Sequence, residues 1–319
     1  MKVLIIGGGG MVGQKLAQAL TRSAKIANHE ITSLALADAA SPADIAEHSS
    51  FEIKKVVADI TNPVAASSLV VDKPDLIFHL AAIVSGEAEA NFEKGYAVNV
   101  EGIKNVLEAI KATGNGYKPK LVFTSSVAVY GGPYPDVIDD DFHLQPRTSY
   151  GAQKAIAELL VNDYTRKGFV DGISIRLPTI CIRPGKPNKA ASGFFSNILR
   201  EPLVGIEAIL PAQKSATNIF ASPRSAVGFL IHAASIDAAS LGDNRALMMP
   251  GVWGSVQDEI DALRRVAGDE VVSLIKEQID PVIEKMLTNW NFPRFTSAKA
   301  LLIGLKSERT LDQIIQIHI

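Results

Sequence analysis

Cysteine is almost absent from the sequence: Cys181 is the single example in 319 residues. No disulfide can therefore form within the chain, and a reducing, cytoplasmic setting is expected. Long apolar runs are missing too. The first, Val3-Leu4-Ile5-Ile6, ends at once in a glycine run, too short for a signal-peptide core or a membrane span. No run of lysine and arginine breaks a formal net charge of −2, which excludes the basic stripe of a nucleic-acid or anionic-lipid binder. The six histidines show no ligand spacing, and no His/Cys/Asp/Glu cluster suggests a metal; His79 reads as structural. Repeats and low-complexity segments are lacking. What remains is an ordinary globular composition, 47% hydrophobic and 21% charged, in a chain long enough for a core domain with a smaller partner.

The first half alternates short β-rich runs with helical patterns, as crossover units and a parallel sheet require. Strands are expected at Lys2 to Ile6, Ile31 to Ala37, Glu52 to Val57, Leu76 to Leu80, Leu121 to Thr124 and Ile173 to Leu177, with helices from about Met11, Glu87 and Tyr150. The near-continuous apolar runs suit strands covered on both faces. This predicts an α/β fold, a doubly wound parallel sheet of the Rossmann type over 1–177, with 218–250 returning to it. Arg183-Pro184-Gly185-Lys186-Pro187-Asn188-Lys189 must be loop. The remainder, 178–319, is expected to be a smaller mixed α/β substrate-binding region with helices at Asp258 to Ala267, Val271 to Gln278 and Leu311 to Ile317.

Gly7-x-x-Gly10-x-x-Gly13 follows the first strand and opens a helix that begins Met11-Val12. Glycines there allow a tight turn and a close approach to a pyrophosphate, held by free amides at the helix N-terminus. Asp38 closes the second strand, where a carboxylate accepts ribose hydroxyls and repels a 2′-phosphate, favouring NAD over NADP. Asp59 stands similarly after the third strand, and spacing alone leaves it equally readable as a turn residue. Tyr150 and Lys154 lie four apart on a predicted helix and share a face, so the ammonium is expected to favour the phenolate. Phenol ionises near pH 10, and a base working at neutrality needs about 4 kcal/mol of preferential phenolate stabilisation. Removing hydride from a secondary alcohol requires such a base within hydrogen-bond reach. Ser126, at a strand's carboxyl end, can polarise the same oxygen.

These marks, with Asp59-Ile60, His79-Leu80-Ala81-Ala82, Asn99-Val100-x-Gly102, Thr124-Ser125-Ser126-x-x-x-Tyr130-Gly131 and Arg176-Leu177-Pro178, resemble the extended short-chain dehydrogenase/reductase family, which also holds nucleotide-sugar epimerases and dehydratases. The resemblance covers about the first 180 residues. It implies that Ser126 bonds the reacting oxygen, Tyr150 is the acid/base, Lys154 binds the nicotinamide ribose, and Asp59 and Ile60 contact adenine. Leu80, Ala81, Ala82, Asn99 and Pro178 would belong to the NAD site. It also implies a homodimer, packed through the helix carrying Tyr150 and the one after Asn99.

Two departures bear on substrate. Nucleotide-sugar members carry Arg-Tyr-x-Asn-x-x-Gly-Pro, whereas Thr179 replaces the asparagine here. They also carry Arg-Asp-Tyr, where this chain reads Thr217-Asn218-Ile219, with no charge for a diphosphate. Losing that contact costs such a ligand roughly 1.5–3 kcal/mol. The segments from Arg176 to Asn188 and Ala221 to Arg224 resemble the D-erythronate dehydrogenase branch, whose members oxidise the C2 hydroxyl of a four-carbon sugar acid with NAD. That implies a cation for the carboxylate, with Arg183, Arg224, Lys186 and Lys189 as candidates and Ser125, Ser126 and Thr179 as further substrate contacts. A nucleotide-sugar epimerase or dehydratase with bound NAD is the alternative, and a non-catalytic NAD-sensing regulator the second. Relatives of that last kind commonly lose the tyrosine or the lysine, and both are present.

Overall fold

The first strand, β1 (Lys2–Ile6), sends Val3 and Ile5 to one face and Leu4 and Ile6 to the other, and all four are buried. That two-sided burial organises the protein, a computed structural model describing residues 1–185, 192–287 and 291–319. Strands β2 (Ser33–Asp38), β3 (Glu52–Val57), β4 (Leu76–His79), β5 (Lys120–Ser126) and β6 (Asp171–Leu177) follow in the main sheet. A second sheet takes β7 (Thr179–Ile180) and β8 (Thr217–Ala221), then β9 (Ala246–Met248) rejoins the main one and β10 (Val252–Ser255) closes the second. The main sheet has seven strands in the order β9-β6-β5-β4-β1-β2-β3, every pair parallel. It is doubly wound, as the sequence predicts.

One face packs against α1 (Met11–Ser23), whose Leu16 and Leu20 meet Val3, Ile5 and Phe78. The other carries α2 (Gly102–Thr113) and α3 (Ser149–Arg166), with Ile103, Val106 and Val161 against Leu4, Ile77 and Phe123. Each large aliphatic side chain so buried contributes roughly 1.5–3 kcal/mol. The helix expected from Glu87 is broken. Ser85–Ala90 ends at Asn91, whose side chain accepts from Lys94 N and caps a new turn, Phe92–Tyr96, which runs through a π-helical turn, Ala97–Glu101, into α2.

The second region packs α4 (Gly193–Leu203), α6 (Val256–Ala267) and α7 (Leu311–His318) on the small sheet, while α5 (Pro223–Ser235) lies on the main sheet beside α1. The helix expected over Val271 to Gln278 is not formed. Asp269–Val272 makes one turn and Ile275–Glu277 is a strand paired in parallel with Ala208–Leu210. β-Branched Val271, Val272 and Ile275 have weak helix preference, and pairing with a neighbouring strand prevails.

Glu259 is fully buried in this region, with Oε1 3.7 Å from Cys181 Sγ and Oε2 without a partner among the described residues. Burial pushes its carboxyl well above the usual range. A carboxyl that keeps its proton when folded and loses it when unfolded makes stability fall as pH rises above about 4.5. Glu259→Gln removes that slope while keeping shape. Its Tm at pH 8 is expected to exceed the wild type's by ~2–4 °C, the equivalent of about 1 kcal/mol, with the gap closing at pH 5. Parallel Tm curves across that range, measured by calorimetry, would remove the assignment.

Candidate active site

Chain order reverses at β1, with β2 and β3 on one side and β4 to β6 on the other. Loops leaving the carboxyl ends of β1 and β4 therefore diverge, and a crevice opens there. A cavity of about 340 Å³ occupies it. Gly7, at φ +90°, forms its floor, and a Cβ there would lie 2.5 Å from Ala81 N. Gly13 would set a Cβ 2.3 Å from Gly7 O. Only glycine fits either place, and the result is a bare turn leading into α1. That helix starts at Gly10 without a side-chain cap and without an acidic residue in its first turn. Met11, Val12 and Gly13 of its first turn line the cavity, and the free amides of a helix N-terminus fit an anionic pyrophosphate. The carboxyl ends of β4 and β5 complete this half with Leu80, Ala82, Ser125 and Ser126.

Thr148 accepts from Gly151 N at 3.1 Å and caps α3, which sets Tyr150 in its first turn on the cavity wall. Lys154 lies one turn on, 2% exposed, its Nζ donating to Thr124 O at 2.8 Å and standing 5.8 Å from the Tyr150 ring centroid. Burial holds the ammonium down to about 7, with Glu158's charge pulling the other way. The helix thus brings Lys154 and Tyr150 together on one face. Burial pushes Tyr150 up to about 12, and the opposing influences are first Arg183's charge and then a hydrogen bond with Ser126. Both members of the pair are desolvated, so in the protein alone each is pressed toward its neutral form.

Arg183 lines the cavity. Its Nε donates to Ile180 O at 3.0 Å and its Nη2 to Ser192 Oγ at 3.0 Å, while its backbone N donates to Ser196 Oγ at 3.1 Å. Pro178 and Thr179 lie on the same wall. Ser125 Oγ is buried without a partner among the described residues, and Ser126 Oγ accepts from Ala128 N at 3.1 Å.

Other predicted residues stand off the cavity. Asp38 Oδ2 accepts from Gly9 N at 2.9 Å and clamps the glycine turn from the end of β2. Asp59 accepts from Thr61 N at 2.9 Å in a turn beyond β3, and buried Ile60 packs on Gly102. Ala81 N donates to Ile6 O at 3.0 Å, joining the turn after β4 to β1. Asn99 accepts from Ile83 N at 2.8 Å and donates to Ile83 O at 3.1 Å and Gln153 Oε1 at 2.7 Å, pinning the loop after β4 to α3. Arg224 is the one predicted substrate contact that the structure places elsewhere. It lies in the first turn of α5 with its side chain 72% exposed, 3.9 Å from Glu308, on the solvent face of a helix whose neighbouring Pro223, Ser225 and Ala226 are buried. Lys186 and Lys189 lie outside the described residues. His79 is buried with neither ring nitrogen bonded among the described residues, and burial holds it neutral, at about 3. Among the described residues no cluster could hold a metal ion, and no helix is long and apolar enough to cross a membrane.

Sequence reading passed over Asn218 and Phe292, which also line the cavity. Asn218 had a visible signal, since it fills the second place of the Arg-Asp-Tyr motif. Phe292 had none, because it arrives through tertiary packing.

Comparison with known proteins gives the chain's relatives. A D-erythronate dehydrogenase from Cupriavidus necator is 39% identical, with 100% of this chain and 98% of the relative covered. One from Haemophilus influenzae is also 39% identical, with 99% and 98% covered. The solved nucleoside-diphosphate-sugar epimerase from Agrobacterium tumefaciens superimposes with a TM-score of 0.96 at 51% identity, covering 100% of this chain and 93% of that one. An L-threonine dehydrogenase from Clostridium difficile shares the fold, with a TM-score of 0.84 at 21% identity, covering 99% of this chain and 95% of that one. The model of the NAD dependent epimerase/dehydratase family matches residues 3–212, and the chain belongs to that family of extended short-chain dehydrogenases/reductases.

Proposed function

We propose that the protein oxidises a secondary hydroxyl of a small sugar acid with NAD, D-erythronate to 2-dehydro-D-erythronate. The carrying observation is the cavity itself, where Tyr150, Ser126 and the Arg183 cation stand beside the bare glycine turn. Full-length similarity to two D-erythronate dehydrogenases supports it. When bound, NAD would supply the hydride acceptor and a positive charge that favours the phenolate. Tyr150 takes the hydroxyl proton on its phenolate oxygen, Ser126 donates to the same substrate oxygen, and Arg183 attracts the carboxylate. Lys154 holds the ribose next to them. The first turn of α1, with Gly7, Gly10, Met11, Val12 and Gly13, takes the pyrophosphate, and Asp38 the adenosine ribose. Asp59 and Ile60 meet adenine, while Leu80, Ala81, Ala82, Asn99 and Pro178 shape the rest of the NAD site. On this reading 1–177 is the NAD domain, 178–319 mainly covers substrate, and the enzyme is a cytoplasmic homodimer joined through α2 and α3, where Leu159 stands 63% exposed.

The similarity to a nucleoside-diphosphate-sugar epimerase favours a second reading, sugar epimerisation with retained NAD. Thr217 argues against it. It brings no charge, and its hydroxyl donates to Asn291 Oδ1 at 2.8 Å or Phe292 O at 2.9 Å. The test is NADH absorbance on mixing enzyme, NAD and a panel of four- and five-carbon aldonates. Stoichiometric NADH with D-erythronate is expected. Silence across the panel, together with turnover of a UDP- or dTDP-sugar, would install the second reading.

A further inference from the structure

Asn218, on β8, is 1% exposed yet lines the cavity. Its Oδ1 receives two bonds, from Ile219 N at 2.8 Å and from Thr179 Oγ1 at 3.1 Å. A backbone N–H can only donate, so the amide oxygen must face it and the amide cannot be reversed. Both oxygen partners thus hold the NH₂ on the opposite side. Among the described residues no hydrogen bond leaves Nδ2. The two hydrogens of Nδ2 thus have no acceptor among the described residues, and an oxygen of a molecule bound in the cavity can take them.

The chemistry of the cavity narrows which oxygen. Its described lining includes the Arg183 cation and no aspartate or glutamate. Two N–H donors on one nitrogen near a guanidinium suit a group that only accepts and carries negative charge. Thr179, expected from sequence to touch substrate, spends its hydroxyl on Asn218 instead.

We infer that Asn218 determines specificity by donating from Nδ2 to the carboxylate of the substrate, with Thr179 as the positioning residue that holds the amide donor-outward. This rests on the sugar-acid reading above. Asn218→Asp tests it, because the aspartate has the same shape and still accepts from Ile219 N and Thr179, but presents a negative oxygen where the NH₂ was. KM for the aldonate is expected to rise roughly 10- to 100-fold, the loss of a charge-assisted bond, with kcat little changed and NADH affinity by fluorescence titration unaltered. Slow oxidation of the neutral four-carbon polyol should not suffer. Thr179→Val should raise KM for the acid several-fold, and Thr179→Ser should restore it. A wild-type KM in Asn218→Asp, or equal losses for acid and polyol, overturns this inference alone. A wild type that reduces NAD with no aldonate overturns it together with the function proposed above.

Discussion

Tyr150→Phe is expected to lower kcat by roughly 10²- to 10⁴-fold, the usual contribution of a positioned acid/base, while leaving NAD affinity and Tm nearly unchanged. The ring stays in its place on α3, and among the described residues the hydroxyl's interactions reach Ser126 and the Arg183 charge. The pH profile gives a second readout. With the phenol raised to about 12 in the protein alone, the reactive phenolate is scarce at neutrality, so wild-type alcohol oxidation must accelerate as pH rises. The cation of a bound nicotinamide and Arg183 both favour phenolate, which places the rise below 12 in the complex. Phenylalanine has no such ionisation, and its residual rate should lack that limb. Activity within tenfold of wild type, with the same alkaline rise, would assign the proton transfer to another group.

Much of this site is legible in sequence because its chemistry is written locally. Gly7, Gly10 and Gly13 are fixed by a turn that closes within a few residues, and Tyr150 and Lys154 by one helical repeat. The strands are legible for the same reason, since Val3 to Ile6 need only alternate to be buried on both faces. What escapes is decided between distant segments. Arg224 occupies a promising place in a motif, yet it falls on the solvent face of α5, which packs the neighbouring Pro223, Ser225 and Ala226 inward. The strand Ile275–Glu277 exists because Ala208–Leu210 lies beside it. The charge balance around Tyr150 is likewise not local. Lys154 is the neighbour by sequence, but Arg183, from the loop after β7, is the charge that acts on the phenol.

The largest stability effect is expected beneath the site, where Arg176 on β6 meets Glu158 on α3. Nε donates to Oε1 at 3.0 Å, Nη2 to Oε2 at 2.8 Å, and Nη1 to Tyr130 Oη at 2.7 Å, with both charged side chains buried. The arrangement ties the helix carrying Tyr150 to the sheet, and it explains why Tyr130 and Arg176 both fall in the recognisable motifs. Glu158→Ala strands a buried guanidinium and is expected to cost about 3–5 kcal/mol, read from urea unfolding at unchanged slope. A loss below 1 kcal/mol would mean that water reaches Arg176. The pair Glu158→Leu with Arg176→Met should recover most of the stability, since no buried charge is left alone. It should not recover activity fully. Glu158 is the charge that favours the Lys154 ammonium against its burial, so removing it drives a group already near 7 further toward the neutral amine. The double variant should therefore bind NAD more weakly at pH 7 than the wild type, and the difference should shrink as pH falls and Lys154 regains its proton.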